Sequence, residues 1–260
     1  VTDLSRLVKA YDVRGIVPDQ LDERVAEALG RAFVQTLRAR GELGDTIVTA
    51  HDMRDSGPGL ATAFAVGACA EGVDVVEAGL GSTDLLYYAS GVLDLPGAMF
   101  TASHNPARYN GIKMCRKGAK PIGQDSGLSE IRERAEAILD GDAPAVAAGS
   151  GTVTKRDMLD DYARHLRTLV DLTGIRRLKV VVDAGNGMGG YTVPAVLGDG
   201  SLPLEIVPLY FELDGSFPNH EANPLEPKNL VDLQKAVREH GADLGLAFDG
   251  DADRCFVIDE

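Results

Sequence analysis

Apolar side chains recur along the first part of the chain in two alternating rhythms. Leu21, Val25, Ala28, Leu29, Ala32, Phe33 and Leu37 follow helical spacing, one stripe of an amphipathic helix. Asp19 is placed to cap its start and Gly41 its end. Residues 47–50 read as a short buried strand, and Ser56-Gly-Pro58 opens a second helix that stops near Gly72, with proline accepted in the first turn. Residues 73–77 alternate as a strand, 84–93 form a shorter helix, and Gly97-Ala-Met-Phe100 is a strand again. Repeated strand-helix units of this kind predict a mainly parallel sheet covered by helices. A returning strand over 110–114 and a helix marked by Leu128, Ile131, Ala135 and Ile138 complete the first half.

The composition then shifts. Residues 140–151 are rich in Ala, Gly, Asp and Ser with a proline at position 144, as in a domain linker. Two domains are therefore expected, 1–148 and 149–260, with a helix over 157–173 placed to bridge them. Beyond it the order of the first half repeats: strand 178–183, helix 191–197, strand 204–210, helix 229–240, strand 242–248. The third strand of each half leads into a polar loop, so the two loops are topologically equivalent and an internal duplication is the simplest source of both. The fold class expected is α/β, two similar three-layer α/β/α domains with mainly parallel mixed sheets.

Composition narrows the function more than the fold. At 260 residues, 44% hydrophobic and 25% charged, the chain can bury two cores and has the make-up of a globular protein. A formal net charge of −14 argues against a nucleic-acid partner, because phosphate backbones repel acidic surfaces. An anionic substrate would need a local basic cluster. The apolar runs are too short for a membrane span, and the first residues carry no signal-peptide core, so the expectation is a cytoplasmic protein with no membrane partner. Three scattered cysteines, Cys69, Cys115 and Cys255, suggest neither a disulfide framework nor a zinc cluster and are expected to be reduced packing residues.

Two polar loops carry the chemistry. Thr101-Ala-Ser-His-Asn-Pro106 follows the strand at 97–100, at the carboxyl edge where open α/β sheets bind ligands. Locally this could be an ordinary Asn-Pro turn. Adjacent side chains rarely aim at one proton, so Ser103 and His104 are read as a phosphate carrier with a neighbour and not as a protease pair. Asp249-Gly-Asp-Ala-Asp-Arg254 follows the strand at 242–248. Three carboxylates so close repel unless a hard cation such as Mg²⁺ neutralises them; locally the loop could also be a solvated acidic turn, whereas a calcium loop is excluded because no Glu stands at its last position. A third segment, Gly185-Asn-Gly-Met-Gly-Gly190, fits a dinucleotide fingerprint, but no acidic residue ends the following strand. Close strand-to-helix packing is the expected use of these glycines.

Together with Tyr11-Asp-Val-Arg-Gly15, these two loops closely resemble the α-D-phosphohexomutase family, in particular its bacterial phosphomannomutase/phosphoglucomutase branch, and the resemblance runs along essentially the whole chain. It implies that Ser103 is phosphorylated and donates its phosphoryl group, and that Asp249, Asp251 and Asp253 hold Mg²⁺ with an oxygen of Ser103. It further implies that Arg14, His104 and Lys113 act beside them, with Arg254 expected to bind substrate. Lys113 is also a candidate general base if neighbouring cations lower its pKa. The run Phe217-Pro-Asn-His-Glu-Ala-Asn-Pro-Leu-Glu-Pro227, which contains His220, matches a loop of the family's second domain and receives no chemical role. The expected reaction moves a phosphoryl group between O1 and O6 of a hexose phosphate through a hexose bisphosphate. Two later motifs that the family draws from its third and fourth domains are not found, so this chain alone is expected to be poorly active and the full-length enzyme to carry further C-terminal domains. The rival readings are an aspartyl-nucleophile phosphatase, suggested by Asp249-x-Asp251, and a non-catalytic metal- and phosphate-binding module.

Overall fold

The computed structural model describes residues 2–142 and 151–259. The first half contains β1 (Val13–Ile16), α1 (Glu23–Ala39), β2 (Thr46–His51), α2 (Gly57–Ala70), β3 (Asp74–Leu80), α3 (Thr83–Leu93), β4 (Gly97–Phe100), β5 (Tyr109–Arg116), β6 (Lys120–Pro121) and α4 (Leu128–Asp140). Then follow β7 (Val153–Lys155), α5 (Leu159–Leu169), β8 (Leu178–Asp183), α6 (Gly189–Leu197), β9 (Leu204–Leu209), α7 (Val231–His240), β10 (Leu244–Phe248) and β11 (Cys255–Ile258).

The first sheet runs β1-β5-β4-β2-β3-β7, with β6 on β5, and the second runs β11-β10-β8-β9. The duplication expected from element order is written in this topology. In each sheet the first strand of the repeat, β2 or β8, lies parallel between the second and the third. The third, β4 or β10, then pairs antiparallel with the strand that returns from the polar loop, β5 or β11. Ser103 and Asp249 thus leave equivalent strands at the same carboxyl edge.

Each sheet is covered on both faces. Phe33, Leu37, Phe64 and Leu128, from α1, α2 and α4, pack with Phe100 and Ile112 on one face of the first sheet. Leu85, Leu86, Met158 and Tyr162, from α3 and the start of α5, pack with Val48 and Met99 on the other. In the second domain α7 covers Val181 and Ala247, and Val193 of α6 covers Val180 and Val182. Helix α5 spans the junction as expected: Tyr162 packs its ring 5.7 Å from that of Tyr88 on α3, while Arg167 donates to the carbonyls of Ala195 and Val196 on α6.

Three expectations change. The segment at 11–15 is not wholly a loop, because Val13–Ile16 forms β1 against β5, with Arg14 opposite Gly111; a side chain at Gly111 would put its Cβ 2.3 Å from the Val13 carbonyl oxygen. Asp22, not Asp19, caps α1, accepting from the Val25 amide at 2.8 Å, three residues ahead as capping geometry requires. Cys255 is exposed and does not pack in a core, unlike buried Cys115. The expected boundary between 148 and 149 lies outside the described residues, but β7, which follows it, pairs with β3 of the first sheet.

Candidate active site

Ser103 lies two residues beyond Thr101, which itself follows β4, and its φ of 51° is left-handed, a conformation that strains residues other than glycine. Its amide donates to Thr101 Oγ1 at 2.9 Å, and that hydroxyl donates to buried Asp52 Oδ2 at 2.7 Å. So held, Ser103 Oγ donates to Asp249 Oδ2 at 2.7 Å and accepts from Arg254 Nη2 at 2.8 Å. The serine comes from the first domain and both partners come from the second.

Asp249, Asp251 and Asp253 converge as the alternation predicted, each offering an oxygen within 4.8 Å of the others. The acidic loop is folded on itself, with the Arg254 amide on Asp249 Oδ1 at 3.0 Å. Thr83 at the start of α3 ties it to the first domain, its hydroxyl donating to Asp251 Oδ2 at 2.6 Å. Lys113 of β5 reaches the same loop, Nζ lying 2.6 Å from Asp251 Oδ2 and 2.6 Å from Asp253 Oδ2. Buried Asp251 Oδ1 has no hydrogen-bond partner. An orphaned carboxylate oxygen among three converging carboxylates is the donor set that a hard oxygen-seeking cation takes, so the residues fit Mg²⁺.

Charge is unevenly shared. Burial, then the charges of Asp251 and Asp253, raise the pKa of Asp249, whereas for Asp251 burial is outweighed by the Lys113 ammonium together with the hydrogen bonds from Lys113 and Thr83, and the pKa is lowered. Burial also opposes the charge of Lys113, yet Asp251 and Asp253 prevail and its pKa is raised well above that of free lysine. The condition for Lys113 as a general base was neighbouring cations. The neighbours are carboxylates, and the side chain is held as an ammonium. For His104, burial, then Arg254 and Arg14, lower the pKa, so the ring is neutral at pH 7 and its Nδ1 accepts from Arg254 Nη2 at 2.7 Å. Arg14 donates to Asn105 Oδ1 at 2.8 Å and pairs with Asp12 at 2.5 Å, one side of the same loop.

All the sequence-derived candidates meet at this junction, but several participants have no local signature. Thr83 and Asp52 lie just beyond the carboxyl ends of β3 and β2, where the sheet-edge rule could have found them. Asp84, facing solvent at the rim, is a fourth carboxyl, pushed up to about 6 by partial desolvation and then by Asp253 and Asp251. The glycines of 185–190 pack closely, though not only strand to helix: a Cβ at Gly187 would lie 2.7 Å from the Gly250 carbonyl oxygen and one at Gly190 2.1 Å from that of Phe211. They let the second domain bring its own loops against the acidic one.

Comparison with known proteins agrees with this geometry. Residues 5–141 match the family model described as phosphoglucomutase/phosphomannomutase, alpha/beta/alpha domain I, and residues 160–260 match that of domain II. A phosphomannomutase of Vibrio cholerae is 39% identical over 256 residues, covering 97% of this chain and 54% of its own. A Xanthomonas campestris protein named phosphohexose mutases is 42% identical over 254 residues, covering 96% and 54%. The crystal structure of a phosphoglucomutase/phosphomannomutase family protein from Burkholderia thailandensis superimposes with a TM-score of 0.88 at 38% identity, covering 100% of this chain and 55% of that one. The chain thus spans about half the length of the curated relatives it matches.

Proposed function

The chain belongs to the phosphoglucomutase/phosphomannomutase family, and on that premise we propose that it carries the phosphoserine and metal loops of a phosphohexomutase interconverting hexose 1-phosphate and hexose 6-phosphate, mannose or glucose, through a hexose bisphosphate. The observation that carries the reading is Ser103 Oγ, held between Asp249 Oδ2 and Arg254 Nη2 at the meeting point of two duplicated strand ends. No helix among the described residues is long and apolar enough to cross a membrane.

In the proposed cycle the Oγ–P bond of phosphorylated Ser103 breaks as a bond forms between phosphorus and a sugar hydroxyl oxygen, whose proton is released. Ser103 Oγ takes up a proton as it leaves; in the return step the P–O bond to the other sugar oxygen breaks as phosphorus bonds to Ser103 Oγ, the serine proton is released, and the freed sugar oxygen is protonated. Asp249, Asp251 and Asp253, with an oxygen of the phosphoserine, would hold Mg²⁺, which supplies positive charge to the phosphoryl oxygens when bound. Lys113, kept cationic by Asp251 and Asp253, and Arg254 and Arg14 add fixed positive charge where phosphoryl transfer needs it. Neutral His104 accepts from Arg254 Nη2 and so orients that guanidinium. In the unphosphorylated state the Ser103 proton is directed at Asp249 Oδ2.

The test is intact mass and phosphopeptide mapping after incubation with glucose 1,6-bisphosphate and Mg²⁺. One phosphate on Ser103 is expected, lost in Ser103→Ala. A phosphate mapped to Asp249, as an aspartyl-nucleophile phosphatase would give, or no uptake at all, overturns the reading.

A further inference from the structure

Arg54 lies three residues beyond β2, only 2% exposed, where a lone arginine in the sequence would read as surface charge. Burying a guanidinium is costly unless its donors are met, and here every N–H finds an acceptor. Nε faces Asp52 Oδ2 at 3.3 Å; Nη1 donates to the carbonyls of Pro106 at 3.0 Å and Tyr109 at 2.9 Å; Nη2 donates to those of Ser103 at 2.8 Å and Asn105 at 2.7 Å. Three carbonyls of the loop that bears Ser103, and that of Tyr109 at the start of β5, are thus gathered on one side chain. The planar fork of arginine suits such a clamp, and lysine, with three donors, could not replace it.

The face of that guanidinium is covered from the other domain. The Phe217 ring centroid lies 5.2 Å from Arg54 Cζ, a distance at which a desolvated cation is attracted to an aromatic face. The same ring reaches the acidic loop: a Cβ built on Gly250 would lie 3.6 Å from Phe217 Cζ and 2.3 Å from the Ser103 carbonyl oxygen. Phe217 has a φ of 54°, strained for an aromatic residue, and strain persists where surrounding structure fixes it. The fixing is visible. The Phe217 amide donates to the Asp214 carbonyl at 3.0 Å, the Asp214 amide to that of Asn186 at 3.0 Å, Asn219 Nδ2 to Asn186 Oδ1 at 2.9 Å, and His220 Nε2 lies 2.9 Å from Asp183 Oδ2. Asp183 ends β8, so the loop that had no chemical role in the sequence is bolted to the second sheet and presses one aromatic ring onto the first domain's clamp.

We propose that Phe217 is a positioning residue for Ser103 that acts through Arg54, setting the Ser103 loop in register with the acidic loop. It touches no reacting atom. Its function is to keep the guanidinium, and with it the carbonyl of Ser103, in the place where Oγ meets Asp249 and Arg254. The proposal rests on the phosphoserine reading for its kinetic arm alone.

The experiment compares the wild-type chain with Phe217→Leu, and with Phe217→Met should the first variant fold poorly by thermal unfolding. Phe217→Tyr restores the ring. Phosphate uptake on Ser103 is followed by intact mass against the concentration of glucose 1,6-bisphosphate. The rate at saturation is expected to fall about 10²-fold in Phe217→Leu, the loss typical of a reacting group displaced by an ångström. The half-saturating concentration should stay within about two-fold, because ground-state binding is untouched. Phe217→Tyr should recover most of the rate. Hydrogen exchange of 103–109 should quicken in Phe217→Leu while that of α1 does not. Wild-type uptake in Phe217→Leu, a change confined to half-saturation, or unchanged exchange overturns the proposal. If the wild type itself takes no phosphate on Ser103, the mutase reading falls and the exchange comparison alone decides: quickening confined to 103–109 upholds the clamp, and none refutes it.

Discussion

Ser103 Oγ and Asp249 Oδ2 stand 2.7 Å apart although 146 residues separate them in the chain. The contact closes the junction between two copies of one architectural unit, each contributing the loop after its third strand. A serine from one copy and a carboxylate from the other make a site that neither holds alone.

Removing one carboxylate of the acidic loop should weaken metal binding. Asp251→Asn takes away charge at the residue whose Oδ1 is buried without a partner, and Mg²⁺ affinity measured by calorimetry should drop at least about ten-fold, or about 1.4 kcal/mol. Equal affinity in both proteins would place the cation elsewhere.

Lys113 pairs with two carboxylates of the acidic loop. Taking one partner from a buried ion pair costs about 3–5 kcal/mol, an upper bound here because the lysine side chain is 16% exposed. Lys113→Met should therefore lower the melting temperature without metal, and Mg²⁺ should raise it more in the variant than in the wild type, since the ion replaces the missing charge. The same metal-induced rise in both would show that Lys113 and Mg²⁺ do not share these carboxylates.

Helices α1 and α2 cross where each lacks a side chain. A Cβ on Gly30 would lie 2.2 Å from the Phe64 carbonyl oxygen and one on Gly67 2.1 Å from that of Glu27. Gly67→Ala should destabilise by about 1–3 kcal/mol through overpacking. Gly91 of α3 has nothing within 4 Å of its Cβ position, so Gly91→Ala should stabilise by about 0.5–1 kcal/mol. Denaturant unfolding of the two variants should give opposite signs.

His220 gives a pH dependence with a definite sign. Burial lowers its pKa, but the bond to Asp183 and the Asp183 charge outweigh that, and the net shift is upward. The folded state then holds the proton more tightly than the unfolded one. This stabilisation is complete below the ordinary histidine pKa and is lost as pH rises through the folded value. His220→Gln should therefore cost more at pH 5.5, about 1.5–3 kcal/mol for a charged hydrogen bond, than at pH 8.5. A penalty that does not change between these pH values would remove the charged pair from the account.

What could be read from the chain is what repeats at short range. Ser103 and the three aspartates stand out because they end apolar strands and crowd like charges within five residues, and helical and strand periods located nearly every buried element. Strand β1 escaped because only its alternate positions are fully buried and its partner β5 lies about a hundred residues on. β7 escaped because all three of its residues are exposed. The state of Lys113 was illegible in principle, since the carboxylates that hold its proton are 138 and 140 residues away. Arg54 and Phe217 were illegible for the same reason: each is unremarkable until the other domain is folded against it.

The short strand β7 sits on the far side of the sequence boundary yet completes the first sheet, Val75 pairing with Val153 and Glu77 with Lys155. A gene cut at the linker would strip β3 of that neighbour and present its unpaired amides and carbonyls to solvent, an invitation to pair with another copy. The strand, carried by the second fragment through α5, which stays docked on α6, would meanwhile be free to pair with another copy's first domain as in a swapped dimer. Halves made for separate study should keep β7 with β3.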